Sequence, residues 1–108
     1  MTDTGWKLVG QSDRREYYVN EDGMCRTVNT VSGEEEINDG LLVRDRKSSR
    51  LCFLGQPVAR WVARFFLDPP PDKKWRAVHI RDDPFDNSVN NIRIKIVGED
   101  EKNVRNRG

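Results

Sequence analysis

Apolar positions follow one rhythm in the first half of the chain and another in the second. "GWKLVG" (Gly5 to Gly10) and "REYYVNEDGMCRTV" (Arg15 to Val28) alternate apolar and polar side chains, the period-2 pattern of strands with one wet face. Between Tyr18-Val19 and Met24 to Val28, the residues "EDG" at Glu21 to Gly23 supply a hairpin turn signal. "SGEEEINDG" is acidic and bounded by Gly33 and Gly40, which predicts a surface loop. "LLVRDRKSSRLCFLG" then predicts two further short strands joined by a basic turn, Arg44 to Arg50.

At Pro57 the period changes. In "PVARWVARFFLDPP", residues Val58, Trp61, Val62, Phe65 and Phe66 recur at helical spacing and form one apolar stripe. Proline suits a first helical turn, and Asp68-Pro69-Pro70 stops the helix because proline offers no N–H to continue it. This helix is the predicted centre of the core. Alternation returns in "KKWRAVHI", with Trp75, Ala77 and His79 on one side and Arg76, Val78 and Ile80 on the other. "RDDPFDNS" reads as a solvated loop bent at Pro84. Asn87 or Ser88 is placed to cap a short helical turn through Asn91, and "IRIKIV" turns Ile92, Ile94 and Ile96 inward as a strand.

With 108 residues the chain is expected to form a single domain. Residues 6–56 make a strand-rich module, residues 57–97 the helix and the strand–loop–turn segment, and residues 98–108 a charged, frayed tail. The fold class is small α+β, with antiparallel strands around one amphipathic helix. No apolar run approaches the ~20 residues a membrane-spanning helix requires. "MTDTGWKLVG" lacks the basic start and apolar stretch of a secretory signal. Cys25 and Cys52 have no CxxC spacing and no histidine-rich neighbour, which predicts reduced thiols in an intracellular protein rather than a zinc site.

The net charge is only +1, from 19 basic and 18 acidic residues, so any affinity for nucleic acid must come from how the charge is distributed. Arg44, Arg46, Lys47 and Arg50 crowd one hairpin. Lys73, Lys74, Arg76 and Arg81 surround the strand that carries His79, the sole histidine. With Arg60 and Arg64 on the open face of the helix, these ten residues are a candidate phosphate-binding track, opposed by aspartates at 82, 83 and 86. Taken alone, His79 reads as a packed strand histidine with one nitrogen hydrogen-bonded, and Asn87, Asn90 and Asn91 as turn residues favoured for their local hydrogen bonds.

Four segments in order resemble the small HNH-type endonucleases of the phage and intron-homing kind, over roughly Trp6 to Arg93. "WKLVG…YYVNEDGMCRTV" is similar to the strand-rich module that accompanies those enzymes. "VARWVARFFLDPP" resembles the family helix "VHRLVAxAF" with its proline stop, and "VHIRDDPFDNSVNNIR" resembles "(D/N)HIDGNxxNNxxxNL(R/E)". The resemblance implies a ββα-metal-like strand–loop–helix motif near the C-terminus. It also implies His79 as general base on a water, Asn87 as the catalytic-loop residue that holds the shape, and a magnesium ion held by Asn91. The chain departs from the pattern in three places. Val78 stands where the family has Asp or Asn, Ala59 where its helix has histidine, and Arg81-Asp82 where it has Asp-Gly. A valine cannot ligate a hard cation that wants oxygen; the loop carboxylates available to replace it are Asp82, the first of them, Asp83 and Asp86.

The expected function is therefore a nucleic-acid-binding domain of HNH-like build, with DNA favoured over RNA, no membrane partner, and hydrolysis impaired or lost. An active magnesium-dependent DNA-nicking endonuclease is one alternative. The other is a protein-interaction module or accessory subunit of a nucleoprotein assembly.

Overall fold

The computed structural model describes residues 5–98. The predicted tail beyond Gly98 lies outside them. The described residues form an α+β fold of three antiparallel sheets gathered on one helix.

The first sheet comprises β1 (Lys7–Gln11), β2 (Arg15–Val19), β3 (Cys25–Asn29) and β4 (Glu35–Asn38), in that order. β4 corrects the expectation of a loop over "SGEEEINDG". Its four residues are all exposed, so hydrophobic burial does not build it. It forms because β3 offers an open edge, pairing Thr27 with Glu36 and Arg26 with Ile37, and because Arg26 bonds Glu35 at 3.0 Å. Charged residues on such an outer strand also discourage further pairing.

The second sheet holds β5 (Leu41–Arg44), β6 (Ser49–Phe53) and β7 (Gln56–Pro57). Its basic turn is a local device: Asp45 Oδ1 accepts from the backbone amides of Lys47 and Ser48 at 3.0 and 2.9 Å. Those amide bonds hold the Asp45 carboxyl below its ordinary value. The strand β7 has no signature in the sequence, since two residues are too few to carry a period. Leu54 and Gly55, both at positive φ (54° and 79°), form the two-residue turn that folds β7 back onto β6.

Helix α1 (Val58–Phe66) starts directly after Pro57. It buries Val58, Ala59, Trp61, Val62 and Ala63, and half-buries Phe65 and Phe66. The buried face thus contains the predicted stripe and widens it with Ala59 and Ala63, while Phe65 and Phe66 pack against the core from its margin. Small side chains at 59 and 63 let flanking elements approach the helix closely. Trp61 Nε1 donates to the Phe53 carbonyl at 2.7 Å and fastens α1 to β6. The third sheet is a hairpin of β8 (Trp75–His79) and β9 (Ile92–Ile96), both packed on α1. Val19, Cys25, Leu51 and Ile92 complete the core, so each sheet contributes to it.

Both cysteines are free thiols. Burial, with a smaller contribution from the Asp39 charge, pushes the Cys25 thiol up to about 12, leaving essentially no thiolate at neutral pH. The thiolate is the reactive species, so a disulfide reagent is expected to modify only half-buried Cys52 in the folded protein. Cys25 is expected to react only after denaturation. Thiol titration at pH 7.5 with and without denaturant checks this; two equally fast thiols in the native protein would contradict the packing.

Candidate functional site

The site is the mouth of the β8–β9 hairpin. His79 ends β8 and faces Ile92, the first residue of β9. Between them, residues 80–91 make a loop that closes with a single 3-10 turn, Val89–Asn91. The predicted short helical turn is therefore present, but the chain leaves it directly into β9. A strand thus stands where a ββα order implies a helix, because alternate residues Ile92 and Ile94 have the core around α1 to pack against.

His79 Nε2 lies 2.8 Å from Asn87 Oδ1. An amide oxygen only accepts, so with that oxygen toward the ring Nε2 carries a proton and donates it to Asn87. Asn87 is 5% exposed and thus fixes both the ring's orientation and its tautomer.

Asn91 holds the loop itself. It is fully buried. Its Oδ1 accepts from the Arg81 amide at 2.7 Å, and its Nδ2 donates to the carbonyl of Asp86 at 2.9 Å and, at longer range, to that of Asp83 at 3.5 Å. Its backbone carbonyl also accepts from Ile80 N at 2.8 Å. One side chain thereby satisfies backbone groups on both limbs of a loop whose own secondary structure is limited to that turn. Asp86 adds a second clamp: its carboxylate accepts from the Ser88 hydroxyl at 2.7 Å and from the Ser88 amide at 3.2 Å, and pairs with the Arg81 guanidinium. The Ser88 hydrogen bonds, chiefly, and then the nearby Arg81 charge hold the Asp86 carboxyl below its ordinary range.

The loop is also held from outside by the strand-rich module. The turn between β2 and β3 seats Gly23 against Asn87, so closely that an added Cβ would lie 2.6 Å from the Asn87 carbonyl oxygen. Gly23 is at φ 78°, a conformation open to glycine. Beside it, Val89 N donates to the Glu21 carbonyl at 2.8 Å. Asn20 shapes that turn by accepting from the amides of Asp22 and Met24, both at 3.0 Å. Sequence inspection identifies the "EDG" turn but not its docking partner, about sixty residues away along the chain.

The donor set fits a resident magnesium ion poorly. Asn91, assigned to the metal by the resemblance, has its amide enclosed and bonded to the loop backbone. Val78 offers no oxygen, and Asp82 is exposed on the loop. Among the described residues no group of three or more His, Cys, Asp or Glu side chains converges as a metal site. Ala59 is buried in the core, where a histidine would need both space and a hydrogen-bond partner.

The ten basic residues fall into two groups. Arg44, Arg46, Lys47 and Arg50 occupy the β5–β6 hairpin, where Arg50 pairs with Asp45 at 3.2 Å. Arg60, Arg64, Lys73, Lys74, Arg76 and Arg81 sit on or beside α1 and β8, and these two elements pack together. Arg60 lies over the Trp75 ring at 4.4 Å, which orients its guanidinium while leaving it charged. Sequence reasoning misses Arg93 and Lys95, although the alternation that turns three isoleucines inward on β9 turns these two outward.

Comparison with protein-family models, with curated proteins and with solved structures gives no match to this chain.

Proposed function

We propose that this protein is a nucleic-acid-binding domain of HNH-like build whose hydrolytic chemistry has been lost. One observation carries the reading. His79 and Asn87, paired by the family resemblance as base and loop-holder, meet at 2.8 Å at the mouth of a two-stranded hairpin. The imidazole and the amide that orients it are held together at the hairpin mouth, while β9 stands in place of the motif's helix. The ion's ligands are what is missing, because position 78 is aliphatic and Asn91 is bonded into the loop.

Without an ion to neutralise charge on the leaving oxygen, the remaining base supplies a factor of only about 10² to 10⁴ over the uncatalysed reaction. Phosphodiester hydrolysis is slow enough that such a factor yields no useful cutting. Binding has no such requirement. It needs cations held near a surface that a phosphate backbone can approach, and the α1–β8 group supplies them.

Fluorescence anisotropy of a labelled mixed-sequence duplex tests this. Binding is expected to weaken steeply with salt, each phosphate contact adding about 0.9 to the slope of log K against log salt. Absence of binding at low salt would overturn the reading and favour a protein-interaction module.

A further inference from the structure

The hairpin has two faces, and the charge on it is sorted between them. Trp75 and Ala77 on β8, with Ile94 on β9, pack toward the core around α1, and Ile96 and, at the mouth, His79 share their side. The opposite face carries Arg76 and Val78 on β8, and Arg93 and Lys95 on β9. Cross-strand register sets Arg76 beside Lys95 and Val78 beside Arg93. Arg76 and Arg93 are both exposed. Neither has an acidic partner among the described residues. Lys74 extends the same face by one alternation, since the Val97 amide still bonds its carbonyl at 2.9 Å. No acidic residue lies within either strand.

Resting on the nucleic-acid reading above, we propose that this outward face of β8–β9 seats the phosphodiester backbone of a DNA duplex, with Arg76 and Arg93 as its principal contacts. The two guanidinium groups arise from diagonal positions about 7–8 Å apart on the pleat. Planar guanidinium forks match phosphate oxygens better than ammonium groups do. Five residues of ribbon extend about 17 Å, long enough to meet more than one phosphate of one strand.

The face has no aromatic side chain on which unstacked bases would lie, which argues against a single-strand platform. Because its other side is packed on α1, the ribbon lies along the backbone instead of entering a groove edge-on. Contact is therefore independent of sequence. The basic β5–β6 tip is a weaker candidate, since Asp45 sits within it and engages Arg50.

The test compares the full-length parent chain, R76A/R93A, R76K/R93K and the tip variant R46A/K47A by anisotropy with a labelled mixed-sequence duplex over a salt series. All four substituted positions are exposed, and thermal melts verify folding. R76A/R93A is expected to reduce the salt slope by about 2 and weaken low-salt affinity by about tenfold or more, equally for unrelated sequences. R76K/R93K is expected to keep most of the slope, and R46A/K47A to bind within about twofold of the parent, as for residues outside the interface. Loss confined to the tip variant would overturn this face while leaving nucleic-acid binding intact. Stronger binding to an unpaired strand than to the duplex would overturn the choice of ligand. A parent chain without salt-dependent binding would overturn both the face and the functional reading.

Discussion

Replacing Gly23 with alanine is expected to destabilise the protein by about 2–4 kcal/mol and to loosen the His79 site, although residue 23 belongs to a different sheet. Two costs combine. A side chain at φ 78° is strained, at about 1–2 kcal/mol for a non-glycine residue in the left-handed region. The added methyl must also displace backbone: it would fall 2.6 Å from the carbonyl oxygen, 2.7 Å from the carbonyl carbon and 2.9 Å from the Cβ of Asn87. No flexible side-chain tip can swing away to relieve that contact. The turn must withdraw, taking with it the Glu21 carbonyl that accepts from Val89 N, or Asn87 must move off the imidazole. Thermal unfolding is expected to shift down by about 10–20 °C. The His79 ring resonances are expected to move in the NMR spectrum, while those of the β5–β6 tip stay in place. Alanine at Gly55, which has positive φ but nothing within 4 Å, provides the control, as it incurs only the backbone strain. Equal losses for the two variants would refute a packed junction between the turn and the loop.

Asn91→Ala is expected to be comparably severe for a different reason. The amide is fully buried and bridges the Arg81 amide to the Asp86 carbonyl. Truncation leaves both groups without partners inside the protein, and an orphaned buried polar group costs about 1–3 kcal/mol. The sum is expected to reach about 3–4 kcal/mol. Asn91→Asp separates the two halves of the bridge. The carboxylate can still accept from Arg81 N, but it has no N–H for the Asp86 carbonyl and sets a negative charge against that oxygen. It is therefore expected to destabilise at neutral pH and to recover partly in acid, as protonation returns a donor. Chemical denaturation at pH 7 and pH 4 measures this. A neutral Asn91→Ala variant would show that the loop is held by the Asp86–Ser88–Arg81 cluster alone.

The strands that alternate cleanly, the β5–β6 hairpin and the helix are legible in the sequence because their period reports burial on one face. β4 is not, since its residues are all exposed and it exists through pairing with β3. The two-residue β7 carries no period at all. At the site, the resemblance draws attention to His79, Asn87 and Asn91, and the fold brings all three to one loop. The division of labour is not legible: Asn91 reads as a ligand by type, yet its surroundings make it a backbone clamp. Nor is the seat of Gly23 on Asn87, which depends on how the first sheet packs against the third. The ten basic residues are visible as a composition bias, and alternation alone turns Arg76 outward on β8 and Arg93 outward on β9, but only cross-strand register sets these two on one face of the hairpin.

Binding without cutting is tested most directly by one gel. Supercoiled plasmid is incubated with an excess of the protein in low salt with magnesium or manganese, and run both before and after protease treatment. Retarded plasmid before treatment and fully supercoiled plasmid after it is the expected result, identical for the parent and for His79→Ala. Relaxed circles that appear with the parent and vanish with His79→Ala would contradict it, as would plasmid that the protein never retards.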